Sequence, residues 1–302
     1  MRPDARWNYM PALFWHNVRV LSETLGYSKR KVVLRHSISD IEQALSDLGL
    51  GTEQINAEGH GFTVQDLVDY FVFRADLIEE TIAPNLQTAQ QAKALFDQVA
   101  AEYTMEYVPQ MKRGKENARI YTLRSGRTVG VPYNKQKGDK YDVDFLTGTS
   151  NILLAHYLGD LPFDPDPRRL PVLVDESKIC GSMSRRMDGA FPSCTNPLAL
   201  WEFKCYYYTT TFGSKISDAI YISDLDGYER RAIKTETGRD VELALFVDAY
   251  STWMEHGKSY LCRMVDLLQR GAIDEIVVGR EIVTSIPEMV TRWVRKYHQQ
   301  LA

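Results

Sequence analysis

The chain has 302 residues, of which 44% are hydrophobic, 25% are charged and 11% are aromatic. This length is sufficient for one large domain or two smaller ones with a full hydrophobic core. The composition excludes a disordered, collagen-like or coiled-coil chain. The net charge of 36 − 40 = −4 means that the chain is not basic overall. Any binding to nucleic acid must therefore use locally concentrated positive charge.

The sequence also carries signals about its compartment. It contains no run of about 18 apolar residues, which predicts that no segment spans a membrane. The N-terminus, from Met1 to Arg6, lacks the apolar core of a signal peptide. None of the four cysteines belongs to a CxxC pair, which argues against a disulfide framework and against a zinc ribbon. Together these features predict a cytoplasmic protein with no membrane partner.

The first part of the chain has the periodicity of helices. Ser39–Glu42 is a capping-box pattern that predicts a short helix over Ile41–Leu48. Thr63 precedes a longer amphipathic stretch, and an Ala- and Gln-rich stretch predicts a third helix from about Leu86 to Tyr107. We therefore expect residues 1–110 to form a mainly helical region that serves dimerisation or DNA recognition.

A basic segment follows at residues 111–147, where we expect a β-ribbon or loop. Between Met111 and Lys140 the charges sum to +9 − 2 = +7. Arg119–Leu123 and Thr128–Val131 have the pattern of a β-hairpin. Two interpretations remain open, a solvated surface ribbon and a ribbon that faces nucleic-acid phosphates. In the second interpretation the candidate DNA-binding residues of this segment are Lys112, Arg113, Lys115, Arg119, Arg124, Arg127, Lys135 and Lys137.

The remainder, residues 148–302, alternates between strand and helix patterns. The predicted strands are Leu170–Val174, Met187–Phe191, Leu198–Tyr208, Val241–Val247 and Glu275–Val278. The predicted helices are Ser150–Leu158, Trp253–Gln269 and Pro287–Leu301. This order predicts an α/β (α+β) fold in which a central mixed sheet is flanked by helices.

The most informative residues lie in two neighbouring apolar strands of that sheet. Glu202 and Lys204 share one face of their strand, because side chains alternate with period two, and Trp201 and Cys205 then point to the opposite, buried face. Asp188, on the strand joined to this one by a short turn, can reach the face of Glu202. Unpaired charge is costly in such an apolar strand, so these groups must either pair with one another or act chemically.

Two carboxylates and a lysine meet the requirements of metal-assisted phosphodiester hydrolysis. Hard oxygen ligands hold Mg²⁺, which polarises the phosphate and lowers the pKa of a bound water. The lysine orients or deprotonates the attacking water, or stabilises developing charge. The alternative is purely structural, a cross-strand ion pair of Glu202 and Lys204 at a sheet edge.

Asp188, thirteen intervening residues and then Glu202-Phe203-Lys204 resemble the PD-(D/E)XK nuclease superfamily, which includes most type II restriction endonucleases. The resemblance covers about residues 150–279. It implies that Asp188 and Glu202 are the metal-binding acidic pair, that Lys204 is the catalytic lysine, and that the Phe203 carbonyl is a further metal ligand.

The resemblance is incomplete in two respects, and a second match exists. Met187 stands where the eponymous proline would precede Asp188, and no acidic residue lies in the preceding predicted helix, so that element would come from Asp142 or Asp144. Asp166 with Glu176 and Lys178 fits the literal pattern better. Those residues lie in a proline-rich connector and a polar stretch, however, so the pattern around Asp188 is physically the better candidate.

These observations predict a Mg²⁺-dependent, sequence-specific endonuclease for double-stranded DNA, of the type II restriction kind. The resemblance implies 5′-phosphate and 3′-hydroxyl ends, and a homodimer is expected because two strands must be cut. Arg186 and Lys215 are further candidates for phosphate contacts. No nucleotide-binding glycine motif is present, so no nucleotide cofactor is expected. The alternatives are a structure-selective or repair nuclease of the same fold and a DNA-binding protein without catalysis.

Overall fold

Helices prevail in the first hundred residues, and strands and helices alternate after that. The structure, a computed structural model, describes residues 1–30, 32–55, 59, 61–134, 142–207 and 213–301. The helices are α1 (Ala5–Asn8), α2 (Ala12–Leu25), α3 (Ile38–Asp47), α4 (Val64–Asp76), α5 (Ala83–Asn85), α6 (Ala89–Tyr103), α7 (Phe145–Tyr157), α8 (Gly213–Thr237), α9 (Lys258–Gln269) and α10 (Ile282–Leu301). The 3₁₀ turns are Thr52–Gln54 and Gly279–Glu281, and the π-helical turns are Leu77–Ile82 and Ser251–His256. The strands are β1 (Ser28–Lys29), β2 (Val32–Val33), β3 (Thr104–Lys112), β4 (Lys115–Leu123), β5 (Thr128–Pro132), β6 (Val172–Asp175), β7 (Lys178–Ser182), β8 (Gly189–Phe191), β9 (Ala199–Cys205), β10 (Glu242–Asp248) and β11 (Glu275–Val278).

A four-stranded mixed sheet forms the centre of the fold, with strand order β11-β10-β9-β8. Strands β9, β10 and β11 are parallel, and β8 is antiparallel to β9. Every residue of β10 is buried, as expected for a parallel strand covered on both faces. The predicted α+β fold with a mixed sheet flanked by helices is therefore confirmed.

Each face of the sheet is covered by its own hydrophobic cluster. On one face, Leu200 and Leu245 pack with buried residues of α8 and α9. On the other face, Trp201 and Phe246 pack with residues of α6, α7 and α10. Alternate residues of β9 thus enter different clusters, which follows from the period-two alternation of a strand.

Strands β3, β4 and β5 form a separate antiparallel sheet, which we call the ribbon. Its β4–β5 pair confirms the predicted hairpin, with longer strands. The ribbon packs against α7 at Gly148, where an added Cβ would lie 2.7 Å from side-chain carbons of both Phe96 and Val131. Only glycine permits this close approach, which places the N-terminal end of α7 beside the ribbon.

The N-terminal helices α1 to α4 enclose a third cluster, which contains Trp7, Phe14 and Tyr70. A buried cation connects this helical unit to the rest of the chain. Arg74 of α4 is fully buried and lies 3.1 Å from a carboxylate oxygen of Asp266 in α9. The Tyr70 hydroxyl donates to the same carboxylate at 2.5 Å.

Several predicted helix boundaries differ from the structure. The cap of α3 is Ser37 with Asp40, instead of Ser39 with Glu42, so the helix starts earlier than predicted. The predicted helix that starts at Thr63 is confirmed as α4, and the structure shows Thr63 as its N-cap with Asp66 as partner. The third helix was predicted to reach Tyr107, but it ends four residues earlier because the chain pairs with β4 as strand β3.

The longest helix that sequence reasoning missed is α8. Its polar composition concealed a stripe of buried residues at helical spacing, and this spacing was the signal that could have found it. The stripe consists of Ile216, Ala219, Ile220, Ser223, Asp226, Arg230 and Ile233. Strand β7 was also missed, because it is short and largely exposed. Within the described parts of the chain, no helix has the length and apolar character needed to cross a membrane.

Candidate functional site

Asp188 is held at the open edge of β9 by main-chain hydrogen bonds. Strand β8 pairs only with residues 199–201, so the carboxyl-terminal half of β9 extends beyond it. Asp188 immediately precedes β8, and its amide donates to the Trp201 carbonyl at 3.1 Å. Its carboxylate accepts the Phe203 amide at 2.9 Å, in place of a ladder bond. The carbonyl of Phe203 faces the same edge, since a residue in an antiparallel pair directs its N–H and C=O to one side.

Glu202 and Lys204 lie side by side on the face of β9 that is directed toward α8. The ammonium group of Lys204 lies 3.0 Å from Oε1 of Glu202, and both side chains are almost completely buried. This is the shared face that the alternation predicts. The structure brings Asp188 next to this pair, because Asp188 precedes β8 by one residue and Gly189 of β8 lies opposite Trp201, the residue before Glu202.

Arg185, one of the two arginines that flank Asp188, and Asp226, which sequence reasoning missed, complete this network. Arg185 donates to Oε2 of Glu202 at 3.0 Å. It also donates two hydrogen bonds, of 2.6 and 2.8 Å, to the carboxylate of Asp226 in α8. Asp226 is fully buried, and burial raises the pKa of its carboxyl although Arg185 opposes that shift. Burial lowers the pKa of Arg185, but the nearby carboxylates of Asp226 and Glu202 raise it by more. The net result is a pKa above the usual value for arginine.

The resulting network alternates acids and bases. Glu202 and Asp226 balance Lys204 and Arg185 in charge, so Asp188 is the acid without a matching base. Partial desolvation by the surrounding protein raises the pKa of Asp188, and the negative charge of Glu202 raises it further. The side chain remains open to solvent, which moderates that shift. An added cation would relieve this repulsion.

Asp188 and Phe203 lie in a cleft of about 610 Å³. The ribbon forms one wall, the start of α7 forms another, and the connector before β6 forms the rim. The lining residues include Lys112, Glu116, Asn117, Tyr133, Asn134, Asp144, Thr147, Asn151, Asp166, Arg168, Asp188, Phe203 and Cys205.

Two amide side chains in this cleft have buried oxygens without a hydrogen-bond partner among the described residues, Oδ1 of Asn117 and Oδ1 of Asn151. The orientation of Asn151 is determined, because its amide nitrogen donates to the Gly130 carbonyl at 3.0 Å. Buried acceptors that lack partners are costly, so each calls for a donor from outside the protein. Water, a hydrated cation or the N–H groups of a ligand would provide one.

The predicted DNA-binding residues of the basic segment separate into two groups. Lys112, Arg113 and Lys115 form the exposed tip of the β3–β4 hairpin, which we call the basic tip, and Lys112 lines the cleft. Arg113 has φ +51° in the turn. These three cations are exposed to solvent, and Lys112 is the one among them that lines the cleft.

The other arginines of the ribbon have structural partners. Arg124 donates to the Glu102 and Ala101 carbonyls at 2.7 and 3.0 Å. Arg127 donates to the carbonyls of Gly159 and Leu161, and its guanidinium group lies 4.8 Å from the ring centroid of Phe163. The guanidinium groups of these two residues are hydrogen-bonded to main-chain carbonyls at the base of the ribbon.

Arg119 is half-buried between Tyr107 and Tyr133, and Asp142 lies 3.8 Å away. Lys135 and Lys137 lie outside the described residues. Arg186 is exposed, and the structure turns its neighbour Arg185 toward Glu202 instead. Lys215 is exposed in the first turn of α8 and does not belong to the lining of the cleft.

The competing match lies in exposed surroundings. Glu176 lies in the turn between β6 and β7 with φ +50°, and Lys178 begins β7 as an exposed residue, whereas Glu202 and Lys204 are buried. Asp166 lies at the rim of the cleft and pairs with Arg168. Of the two acids that were expected to supply a further carboxylate, Asp144 caps α7 and lines the cleft, whereas Asp142 lies near Arg119.

The donor set at Asp188 is suited to a hard cation. Asp188 and Phe203 line the cleft at this sheet edge, whereas Glu202 lies behind them in ion pairs with Arg185 and Lys204 and does not line the cleft. Mg²⁺ needs only one or two protein carboxylates beside its waters. Both oxygens of Glu202 carry a cationic neighbour and retain a second lone pair each. Within the described residues, no group of three or more His, Cys, Asp or Glu side chains is arranged to hold a metal.

The fold and site define an α+β protein that has a cleft with a buried acid–base network at the edge of a mixed sheet. Residues 87–293, more than half of the chain, match the family model described as Domain of unknown function (DUF7687), and the chain belongs to that family. Residues 1–81 match a second model, Domain of unknown function (DUF7690). The two matches meet at the π-helical turn and α5. No curated protein and no solved structure matches the chain significantly.

Proposed function

We propose that this protein is a Mg²⁺-dependent endonuclease that hydrolyses double-stranded DNA at specific sequences, as type II restriction enzymes do. The observation that carries the proposal is the convergence of Asp188, Glu202 and Lys204 at the open edge of β9. Sequence pattern and tertiary position agree for these three residues, whereas the competing set around Glu176 is exposed.

Asp188, Glu202 and the Phe203 carbonyl would hold the metal. When bound, Mg²⁺ would polarise the scissile phosphate and lower the pKa of a coordinated water. Lys204 would orient the attacking water or stabilise charge that develops on the phosphate. Arg185 is held by two hydrogen bonds to Asp226 and donates one hydrogen bond to Glu202, so Glu202 is pre-organised for this role.

The surroundings of the site favour nucleic acid as the substrate. The basic tip lies beside the cleft, where Lys112, Arg113 and Lys115 would contact phosphates. The unpartnered oxygens of Asn117 and Asn151 would accept O–H groups of bound water, and that water would bridge them to a nucleobase. One chain offers one such site in its described part, so we propose that a homodimer cuts both strands.

The test is incubation of the purified protein with unmethylated phage DNA, in Mg²⁺ and in EDTA. Discrete fragments that appear only with Mg²⁺ are the expected result. A smear would contradict sequence specificity and indicate a structure-selective or non-specific nuclease. Intact DNA with every divalent metal, together with a positive gel shift, would reject catalysis and leave a DNA-binding protein.

The chain provides a matched control for the site residues. Glu202→Ala and Lys204→Ala should each reduce cleavage at least about 100-fold, while a gel shift in Ca²⁺ remains. Glu176→Ala and Lys178→Ala alter the same residue types at the same spacing in the exposed β6–β7 turn and should leave cleavage unchanged. Equal activity of all four variants would reject the assignment of the site.

A further inference from the structure

A second cavity, of about 340 Å³, lies between α2 of the N-terminal unit and helices α8 and α9 of the core. We call it the α2–α8 pocket. It spans the two segments that match different family models. None of its lining residues lines the cleft at Asp188. Ligand pockets are often found at such junctions between units, and this volume is at the lower end of their usual range.

Aromatic side chains form much of the wall of the α2–α8 pocket. Trp15 and Tyr27 are nearly buried, together with the aliphatic residues Val18 and Leu267. Tyr221 of α8 also lines the cavity and exposes 62% of its surface. Rings arranged around a narrow cavity are suited to a planar aromatic group.

Three arginines and three carboxylates line the α2–α8 pocket, and Arg74 behind it adds one further positive charge. Arg263 pairs with Glu23 at 2.5 Å, and Arg270 pairs with Asp224. The carboxylate of Asp266 is already paired with the buried Arg74, which lies on the side of Asp266 away from the pocket lining. Arg19 is exposed and forms no ion pair with a carboxylate of the described residues, so its charge remains available to a ligand.

Arg263 connects the aromatic and cationic parts of the wall. Its guanidinium group lies 4.9 Å from the ring centroid of Tyr27 and donates to the Tyr221 hydroxyl at 3.5 Å. An anion bound beside these rings would balance the charge of Arg19.

We propose that the α2–α8 pocket binds a planar aromatic anion of mononucleotide size. Trp15, Tyr27 and Tyr221 would surround the ring, and Arg19 and Arg263 would bind the anionic group. The volume is too small for an oligonucleotide or a polypeptide segment. The proposal does not depend on the nuclease function, because binding alone tests it.

The test is calorimetric titration of the full-length protein with AMP, GMP, CMP and UMP, each in EDTA. At least one should bind, and more tightly than its nucleoside or inorganic phosphate alone. Arg19→Ala and Tyr221→Ala should each weaken binding about tenfold, which is the usual effect of losing one stacking or ionic contact. Both residues are exposed, so folding should be preserved.

Two variants provide matched controls. Tyr228→Ala removes an equally exposed tyrosine, 66%, from the same helix, and Arg295→Ala removes an exposed arginine from α10. Both should bind as the wild type does. Absence of binding to all four nucleotides at millimolar concentration would overturn the proposal. So would equal affinity in all variants, or a loss of binding in Glu202→Ala, which would assign the nucleotide to the cleft.

Discussion

At the scale of single residues, the structure places acids where their environment alters their protonation. Asp248 ends β10 and is fully buried. Its carboxylate accepts the amides of Gln87 and Ala249 at 2.7 Å each, and also the Tyr207 hydroxyl. Burial raises the pKa of Asp248 to about 6, although these hydrogen bonds oppose the shift. The Asp248 carboxylate therefore links the segment that precedes α6 to the carboxyl end of β10.

The raised pKa predicts how stability depends on pH. The folded protein holds the Asp248 proton more tightly than the unfolded chain does, so this group's contribution to stability falls as pH rises from about 4 to about 6. Asp248→Asn keeps the acceptor oxygen and removes the titration. The difference in unfolding free energy between variant and wild type should therefore shift in favour of the variant by up to about 3 kcal/mol between pH 4 and pH 7.

Urea unfolding at several pH values measures this difference directly. Parallel curves for the two proteins across the whole range would contradict the assignment of a raised pKa to Asp248.

Asp226 is the second residue whose role follows from its burial. Its carboxylate pairs with Arg185 through two hydrogen bonds, and removal of one partner from such a pair leaves an uncompensated charge. Asp226→Ala should therefore lower the unfolding free energy by about 3 kcal/mol or more. Asp224→Ala, two residues earlier and in a more exposed pair with Arg270, should cost about 1 kcal/mol or less. Equal costs in thermal or urea unfolding would contradict the burial argument.

At the scale of elements, the ribbon has a fixed base and an exposed basic tip. Arg124 and Arg127 bind main-chain carbonyls at the base, so their charges serve packing. Lys112, Arg113 and Lys115 lie in the exposed hairpin tip, where charge is available to a partner. A charge count along the sequence does not separate these two groups, because it contains no information about main-chain contacts.

This separation predicts the salt dependence of DNA binding. Replacement of Lys112, Arg113 and Lys115 by Ala should make the slope of log affinity against log salt shallower by roughly two to three, since each phosphate contact contributes about 0.9. Arg124→Ala should instead lower the melting temperature and leave the slope unchanged. Fluorescence anisotropy with a labelled duplex at several salt concentrations measures the slope. The same slope in the triple variant and the wild type would reject the basic tip as a DNA contact.

At the scale of the whole molecule, the N-terminal unit and the core are connected by Arg74. This arginine is fully buried, pairs with Asp266, and lies within about 5 Å of the ring centroids of Tyr27 and Phe71. Burial of a paired cation at a junction of two units makes their relative placement costly to change. The α2–α8 pocket lies at the same junction, which gives it rigid walls.

We expect Arg74→Ala to lower the unfolding free energy by about 3 to 5 kcal/mol, because Asp266 loses its partner. Arg6→Ala is the matched control. Arg6 also pairs with two carboxylates, those of Asp66 and Asp69, but at an exposed site, where the loss should be about 1 kcal/mol or less. Urea unfolding followed by tryptophan fluorescence and circular dichroism measures both. Equal destabilisation by the two variants would contradict the role of Arg74 at the junction.

Much of the candidate site follows from local pattern. The alternation along β9 indicates that Glu202 and Lys204 share a face, and the short turn before β9 indicates that Asp188 lies on the neighbouring strand. The cap at Thr63 and the β4–β5 hairpin are equally local. These features depend on side-chain direction and turn length, which a few consecutive residues determine.

Other parts of the site required the tertiary structure. Asp226 meets Arg185 only because α8 packs on the sheet, and Asn117 and Asn151 share a cleft only because the ribbon packs on α7. The same packing determines that Arg185, and not the exposed Arg186, contacts Glu202 and Asp226. The sequence by itself therefore determined the strand that carries the candidate chemistry. The tertiary structure decided which distant residues support it, because contacts between separate elements depend on packing and burial and not on spacing along the chain.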